Sequence, residues 1–273
     1  MSTSVINIVE RLSKDMGDWR PIKVTTAQGA TVNIVSTDLA QYDDAQDHTF
    51  QNKWVYIADF LNEGIERKVQ YSYTGNSSLD VYGANLTADA SNLSNVWIST
   101  YRYSDKKDAI VDSIRDLYPI IHQKLEDKTS ITTNSVLYEY DIPANYEPGY
   151  ITALSINYSG IGGDGWMSVG YSIVNEGRSI RFDQLWATGH QVKIEGVAPI
   201  NTYLPYASNV INIGTPQVEL LTAKAKVKMY ERYSQPASAE DVSRYERQML
   251  KAEMDLRKKI NSGRMFTDTK LRI

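Results

Sequence analysis

The spacing of apolar and polar positions changes period several times along the chain, and each change marks a new element. Val5, Ile8, Val9 and Leu12 recur at helical steps, which predicts a short amphipathic helix within residues 1–16. Met16-Gly-Asp-Trp-Arg-Pro21 ends it, and the period then falls to two. Thr31–Val35, Trp54–Ile57 and Arg67–Tyr73 alternate, and Gly75-Asn76 makes a turn before Leu79–Val81. Asp38–Gln51 is polar and acidic and reads as loop. Residues 17–103 are expected to form a β-rich module of short strands.

Ser104-Asp-Lys-Lys-Asp108 restores the helical period. Ser104 or Asp105 can cap the backbone, and Ile110, Ile114, Leu117 and Ile121 line one face of a central helix over 104–128. Pro119 lies inside that pattern and disfavours the α conformation at Tyr118, so a kink or an early end is expected there. Residues 129–215 return to strands at Val136–Ile142, Tyr150–Tyr158, Trp166–Ile173 and Gln191–Val197. Gly214-Thr215-Pro216 opens a helix that runs to Tyr233 and is closed by Pro236. Ser238 and Asp241 start another, along which Val242, Tyr245, Met249, Ala252, Leu256 and Ile260 form an apolar seam up to a stop at Gly263.

The fold class that follows is α+β. A helical bundle, made of the short N-terminal helix, the central helix and two C-terminal helices over 216–262, carries two β-rich blocks. Residues 263–273 remain as a tail. They are basic, hold large apolar residues and are too few to build structure of their own, so they read as a docking segment in which Arg264, Met265, Phe266, Lys270, Leu271, Arg272 and Ile273 are the candidate contacts.

Composition narrows the picture. No run approaches the roughly 20 apolar residues of a membrane helix, the N-terminus lacks the pattern of a secretory signal, and there are 0 cysteines for disulfide, thiolate or zinc chemistry. These features suit a protein that folds in a reducing cytosol. From Pro216 onward 13 Lys/Arg face 8 Asp/Glu, a net of +5, while the rest of the chain holds 16 against 25, a net of −9. An acidic body with a basic helical end is poor material for wrapping nucleic acid and suits self-association or docking on an acidic protein surface. The 19 tyrosines suit half-wet contacts or, equally, strands.

Chemistry-bearing patterns are weak. Gly160-Ile-Gly-Gly-Asp-Gly165 precedes Trp166 and a strand instead of Lys-Ser/Thr and a helix, so it reads as a hairpin loop and not a phosphate cradle. His48, His122 and His190 are scattered; His122 and Glu126 would share a helix face, without a second His to complete a metal site. Asp43-Asp44 sits in a loop, and Asp105/Asp108 and Glu240-Asp241 stand at helix starts, where the macrodipole accounts for them. Arg178–Phe182 with Trp166 and Trp186 reads as a strand whose basic side chains cover apolar edges. No enzyme, cofactor or metal site is expected.

Several segments together resemble the head-to-tail adaptor (connector) proteins of tailed bacteriophages. Ala109–Pro119 looks like their helix ending in an aromatic-Pro step. Leu137–Pro143 followed by Tyr150–Leu154 is similar to their strand, turn and strand, and Arg181-Phe182 with Val192–Pro199 to their closing strand before a terminal helix. Trp54–Ile57, Ile65–Val69, Tyr73 and Leu79–Val81 resemble their N-terminal block. The resemblance implies a structural virion protein of the neck, assembled in the host cytoplasm. It implies a homo-oligomeric ring of about twelve copies beneath the portal protein, with a stopper, tail-tube or terminator protein below and DNA passing through without sequence-specific binding. No membrane partner and no catalytic residue are implied. The C-terminal segment occupies the place where the family docks on the portal. The alternative is a tail-tip or baseplate module that recognises a host receptor or glycan.

Overall fold

The computed structural model describes residues 3–42, 47–73, 75–118, 120–146, 150–158, 165–202, 210, 211, 213–234 and 239–264. Strand β1 (Thr3–Ser4) runs into helix α1 (Val5–Asp15). Strands β2 (Arg20–Lys23), β3 (Asn33–Val35), β4 (Trp54–Ile57), β5 (Glu66–Tyr73), β6 (Ser78–Val81) and β7 (Asn95–Ser99) follow, then helix α2 (Tyr103–Leu117). Next come β8 (Gln123–Thr132), β9 (Glu139–Asp141), β10 (Ile151–Asn157), β11 (Trp166–Ser168), β12 (Tyr171–Val174), β13 (Ser179–Phe182) and β14 (Gln191–Ala198). Strand β15 (Val210–Ile211) leads to helices α3 (Thr215–Tyr233) and α4 (Ala239–Arg264). The chain divides into two units, residues 1–117 with 202–273, and residues 118–201.

In the first unit, six antiparallel strands in the order β2-β7-β4-β5-β6-β3 make one sheet. Strand β5 pairs with β4 through Glu66–Lys68 and with β6 through Val69–Tyr73, and the register slips between Val69 and Tyr71. Such a bulge bends a strand and deepens its twist. The sheet curls into a half-barrel until its edges meet, where the Thr25 amide donates to the Val35 carbonyl at 2.9 Å and the Lys23 amide to Asp38 at 2.9 Å. Ile22, Ile34, Val55, Val69, Leu79 and Ile98 fill the interior. Pro21 is tolerated because β2 is an edge strand, whose outward side needs no amide.

The helices of this unit gather on α3, which is buried almost all round, at Val218, Leu220, Leu221, Thr222, Ala225, Met229 and Tyr230 among others. Helices α1, α2 and α4 each pack against it. Ser4 caps α1 and Pro216 opens α3 without loss of a helical bond. Asp105, Asp108, Asp112 and Asp116 descend one side of α2 opposite Lys224, Lys228 and Arg232 of α3; Lys228 lies 2.9 Å and Lys224 3.2 Å from Asp116, and Arg232 3.1 Å from Asp105.

One buried ion pair joins helices to half-barrel. The Lys106 ammonium of α2 donates to Asp18 at 3.0 Å and to the Ser13 hydroxyl of α1 at 2.9 Å. Asp18 also accepts the amides of Thr100 and Tyr101, just beyond β7, at 2.6 and 3.0 Å. Lys106 and Asp18 are only 2% and 3% exposed, so each charge depends on the other for what water no longer provides. Desolvation pulls the Lys106 ammonium below its usual range, and Asp18 opposes that pull. Nearby, the Glu66 carboxylate of β5 accepts the first amides of α2, at Tyr103 and Ser104, as a capping side chain borrowed from the sheet. Tyr101 packs edge-on against Tyr233 of α3, and the Tyr233 hydroxyl donates to Asp105 at 2.5 Å.

The second unit is a two-sheet β structure. Sheets β11-β10-β14-β8 and β12-β13-β9 enclose Ile131, Leu154, Ile156, Ile180, Phe182, Val192 and Ile194. Tyr146 lies across β14, its hydroxyl donating to the Ile194 carbonyl at 3.0 Å. A Cβ on Gly196 would stand 2.8 Å from that ring and 3.0 Å from the Tyr150 carbonyl, so the close approach requires glycine.

These facts overturn the helical bundle as the frame of the molecule. The chain is mostly β with a few helices: fifteen strands in four sheets, one curled into a half-barrel, against four α-helices among the described residues. Each large sheet region has its own apolar core, built without a helical bundle to support it. The central helix stops at Leu117 rather than continuing to 128, and Gln123–Thr132 is strand β8, so His122 and Glu126 share no helix face. Val136–Ile142 is strand only over Glu139–Asp141, and Trp166–Ile173 divides between two sheets at Val169-Gly170. Helix α4 runs through Gly263 to Arg264 instead of stopping before it.

Two outcomes test this account. Lys106→Met should destabilise the first unit by about 3 kcal/mol, with a double-mutant cycle against Asp18→Asn showing strong coupling in urea unfolding. Gly196→Ala should cost the second unit about 1–3 kcal/mol, and Tyr146→Leu in the same chain should relieve part of that loss.

Candidate interaction surfaces

The turn between β4 and β5 is built from Asp59-Phe-Leu-Asn-Glu-Gly64, and Asp59, Asn62 and the Gly64 amide tie it down. Asp59 accepts the Asn95 backbone amide at 2.8 Å and its side-chain amide at 2.6 Å. Asn62, 1% exposed, trades two hydrogen bonds of 2.9 Å with the backbone of Thr87. The Gly64 amide donates to Ile57 at 2.9 Å. This frame holds Phe60 at φ +60°, a region that costs a bulky residue about 1–3 kcal/mol. It leaves Phe60 48% and Leu61 64% exposed, although burial of either ring or chain would have been favourable. Leu93, in the loop leading to β7, is exposed as well.

Helix α4 presents two faces. Ala252 and Leu256 are buried, with Tyr245, Met249 and Ile260 half-buried on the same side. Leu250 and Met254 stand on the opposite side, 56% and 61% exposed and four residues apart, where helical side chains lie one above the other. Arg247, Lys251, Arg257 and Lys258 surround them in exposed positions. A third apolar group, Val136-Leu-Tyr138, forms an exposed turn on the second unit.

The tyrosines divide between core and surface. Tyr56 and Tyr103 stack at 3.7 Å between centroids beside Trp97, and burial pushes the Tyr56 hydroxyl up to about 12. Burial also raises Tyr101, and a hydrogen bond that its hydroxyl makes to Tyr245 of α4 adds to the shift. Tyr71, Tyr82, Tyr138 and Tyr158 remain exposed. No family model and no curated protein matches this sequence. The reading of the surfaces therefore rests on their geometry.

Of the docking residues read from the sequence, Arg264 is the last residue of α4, while Met265, Phe266, Lys270, Leu271, Arg272 and Ile273 lie outside the described residues. So do Asp43, Asp44 and Gly160–Asp164; the strands flanking that glycine cluster, β10 and β11, pair antiparallel as a hairpin. The three histidines stay apart: His48 sits in a turn at φ +71°, and the His190 ring is 2.9 Å from the Asn157 carbonyl. Among the described residues no group of three or more His, Asp or Glu is placed to hold a metal ion, and no helix is long and apolar enough to cross a membrane. Lys128 and Lys193 stand over the Trp166 ring, at 6.0 and 5.8 Å. Phe60, Leu61, Leu250 and Met254 went unnoticed in the sequence because an apolar residue carries no mark of being left outside.

The α2–α3 ion row has a definite pH window. The Lys228 ammonium holds Asp116 below the usual carboxylate range, and Asp116 holds Lys228 above the usual amine range. A lowered acid adds stability above its unfolded value, about 3.9, and loses it as pH falls through the folded value. A raised amine adds stability below about 10.4 and loses it as pH rises through the folded value. Asp116→Asn should therefore lower Tm modestly at pH 7, by an amount that shrinks in thermal melts taken as pH falls through the lowered folded value of Asp116.

Proposed function

We propose that this chain is a head-to-tail adaptor of a tailed bacteriophage: a structural subunit of a ring beneath the portal that joins capsid to tail while DNA passes through. What supports the reading is the separation of exposed apolar groups onto different elements, the Phe60-Leu61 turn on the half-barrel and Leu250 with Met254 on α4. A subunit that closes a ring by one repeated contact needs two unlike patches, whereas a two-fold dimer needs one self-complementary patch. The net charge of −4 agrees with a ring that lets DNA through, since a strongly basic lumen would hold phosphate. The sequence resemblance adds the portal above, the stopper or tail protein below and a copy number of about twelve.

In this reading the C-terminal segment from Arg264 to Ile273 docks on the portal, with Met265, Phe266, Leu271 and Ile273 as apolar anchors and Lys270 and Arg272 beside them. Negative-stain microscopy with purified portal should show rings of about twelve copies. Deleting residues 264–273 should abolish portal binding and leave far-UV helicity near its original value. Compact single particles that ignore portal, or undiminished binding by the truncated chain, would refute the adaptor role; particles of that kind that bind a glycan would favour the receptor-recognition module instead.

A further inference from the structure

The two open apolar patches of the first unit match each other in more than hydrophobicity. The turn that carries Phe60 and Leu61 has acidic neighbours, Asp59 and exposed Glu63; no Lys or Arg occurs from Val69 to Tyr101, the stretch that supplies the adjoining loops, and Arg67, which reaches that stretch, is held on the Ala84 carbonyl. Helix α4 is the reverse: six basic residues against three acidic ones between 242 and 261, with Arg247, Lys251, Arg257 and Lys258 exposed around Leu250 and Met254. Each patch is an apolar centre with a charged rim, and the rims are opposite in sign. Opposite rims select a partner and its register, while the apolar centres supply most of the binding energy.

Neither patch is covered among the described residues, where all four apolar residues are 48–64% exposed. The turn is also pre-shaped. Asp59, Asn62 and Gly64 fix its backbone, so the Phe60 and Leu61 side chains are presented without the ordering cost of a free loop. A second copy of the same chain carries the complementary patch on α4, at equal concentration and without any further protein being required.

We propose that copies of this chain join head to tail, with the Phe60-Leu61 turn of one copy seated on Leu250 and Met254 of α4 in the next, and with Glu63 facing Arg247 and Lys251. The proposal rests on the ring reading and names its repeating contact. Because the contact is heterologous, each copy offers one patch forward and one back, and repetition closes or extends the assembly.

The absence of cysteine makes the test direct. Leu61→Cys and Met254→Cys place single thiols at exposed positions, to be joined by a short bismaleimide in full-length chain, alone and with portal. A mixture of L61C and M254C chains should give cross-linked pairs, each variant alone should stay single, and the doubly substituted chain should give a ladder in steps of 30.8 kDa. Glu63→Lys should reduce the ladder severalfold, and adding Lys251→Glu to the same chain should restore it. Equal cross-linking of L61C with itself, or none in the mixture, overturns the contact. Wild-type chain that still sediments as a ring in that case leaves the ring reading standing; wild-type chain that stays single at every concentration, with and without portal, removes both.

Discussion

A lysine ammonium with almost no access to water sits where three parts of the first unit converge. Its helix, the end of α1 and the exit of β7 are all bonded through Lys106 and Asp18, directly or by one further hydrogen bond. Such a pair adds little net stability compared with an apolar replacement, but it is unforgiving of misplacement, because an unmatched charge in that position is very costly. What the pair supplies is geometry. The half-barrel and the helices around α3 can dock in one arrangement that satisfies both charges, and Glu66 at the start of α2 and Tyr101 against Tyr233 agree with it.

That fixed arrangement gives the exposed patches their meaning. The Phe60-Leu61 turn belongs to the half-barrel and the Leu250-Met254 stripe to α4, and both elements are bound into the same unit. Their separation and orientation are therefore properties of the fold and not of a flexible arm. The repeating contact proposed above would need that constancy, since small errors per step accumulate around a ring. The acid–base row between α2 and α3 ties these helices more softly, being half-exposed and open to screening by salt.

Much of the secondary structure was legible where one face of an element is wet. In α1, Val5, Ile8, Val9 and Leu12 are the buried face that their spacing foretold, and Ala252 and Leu256 mark the seam of α4. Strand β7 escaped notice because Val96, Trp97 and Ile98 are all buried, which leaves no alternation to read. Strand β2 was hidden by Pro21, which ends a central strand but not an edge. The period of Ile110, Ile114, Leu117 and Ile121 extends the expected helix to 128, whereas 123–128 belongs to β8, whose Leu125 and Ile131 pack into a sheet core. Lys106 lay within Ser-Asp-Lys-Lys-Asp, a run that looks solvated. Only the approach of Asp18, far away in sequence, distinguishes it from Lys107. The surface turn at Phe60 was illegible for the opposite reason: apolar letters after a strand look like core.

The pairing of β1 with β15 has a consequence for how the chain matures on the ribosome. Thr3 and Ser4 meet Ile211 and Val210, and α1 lies on α3, with Arg11 bonded to Glu219 at 2.8 Å. Helix α1 is thus made long before α3, and its apolar stripe stays only partly covered until α3 follows. The half-barrel has all its strands by residue 99 and can close early. The first unit, residues 1–117 with 202–273, is therefore completed only after the second, residues 118–201, has been made.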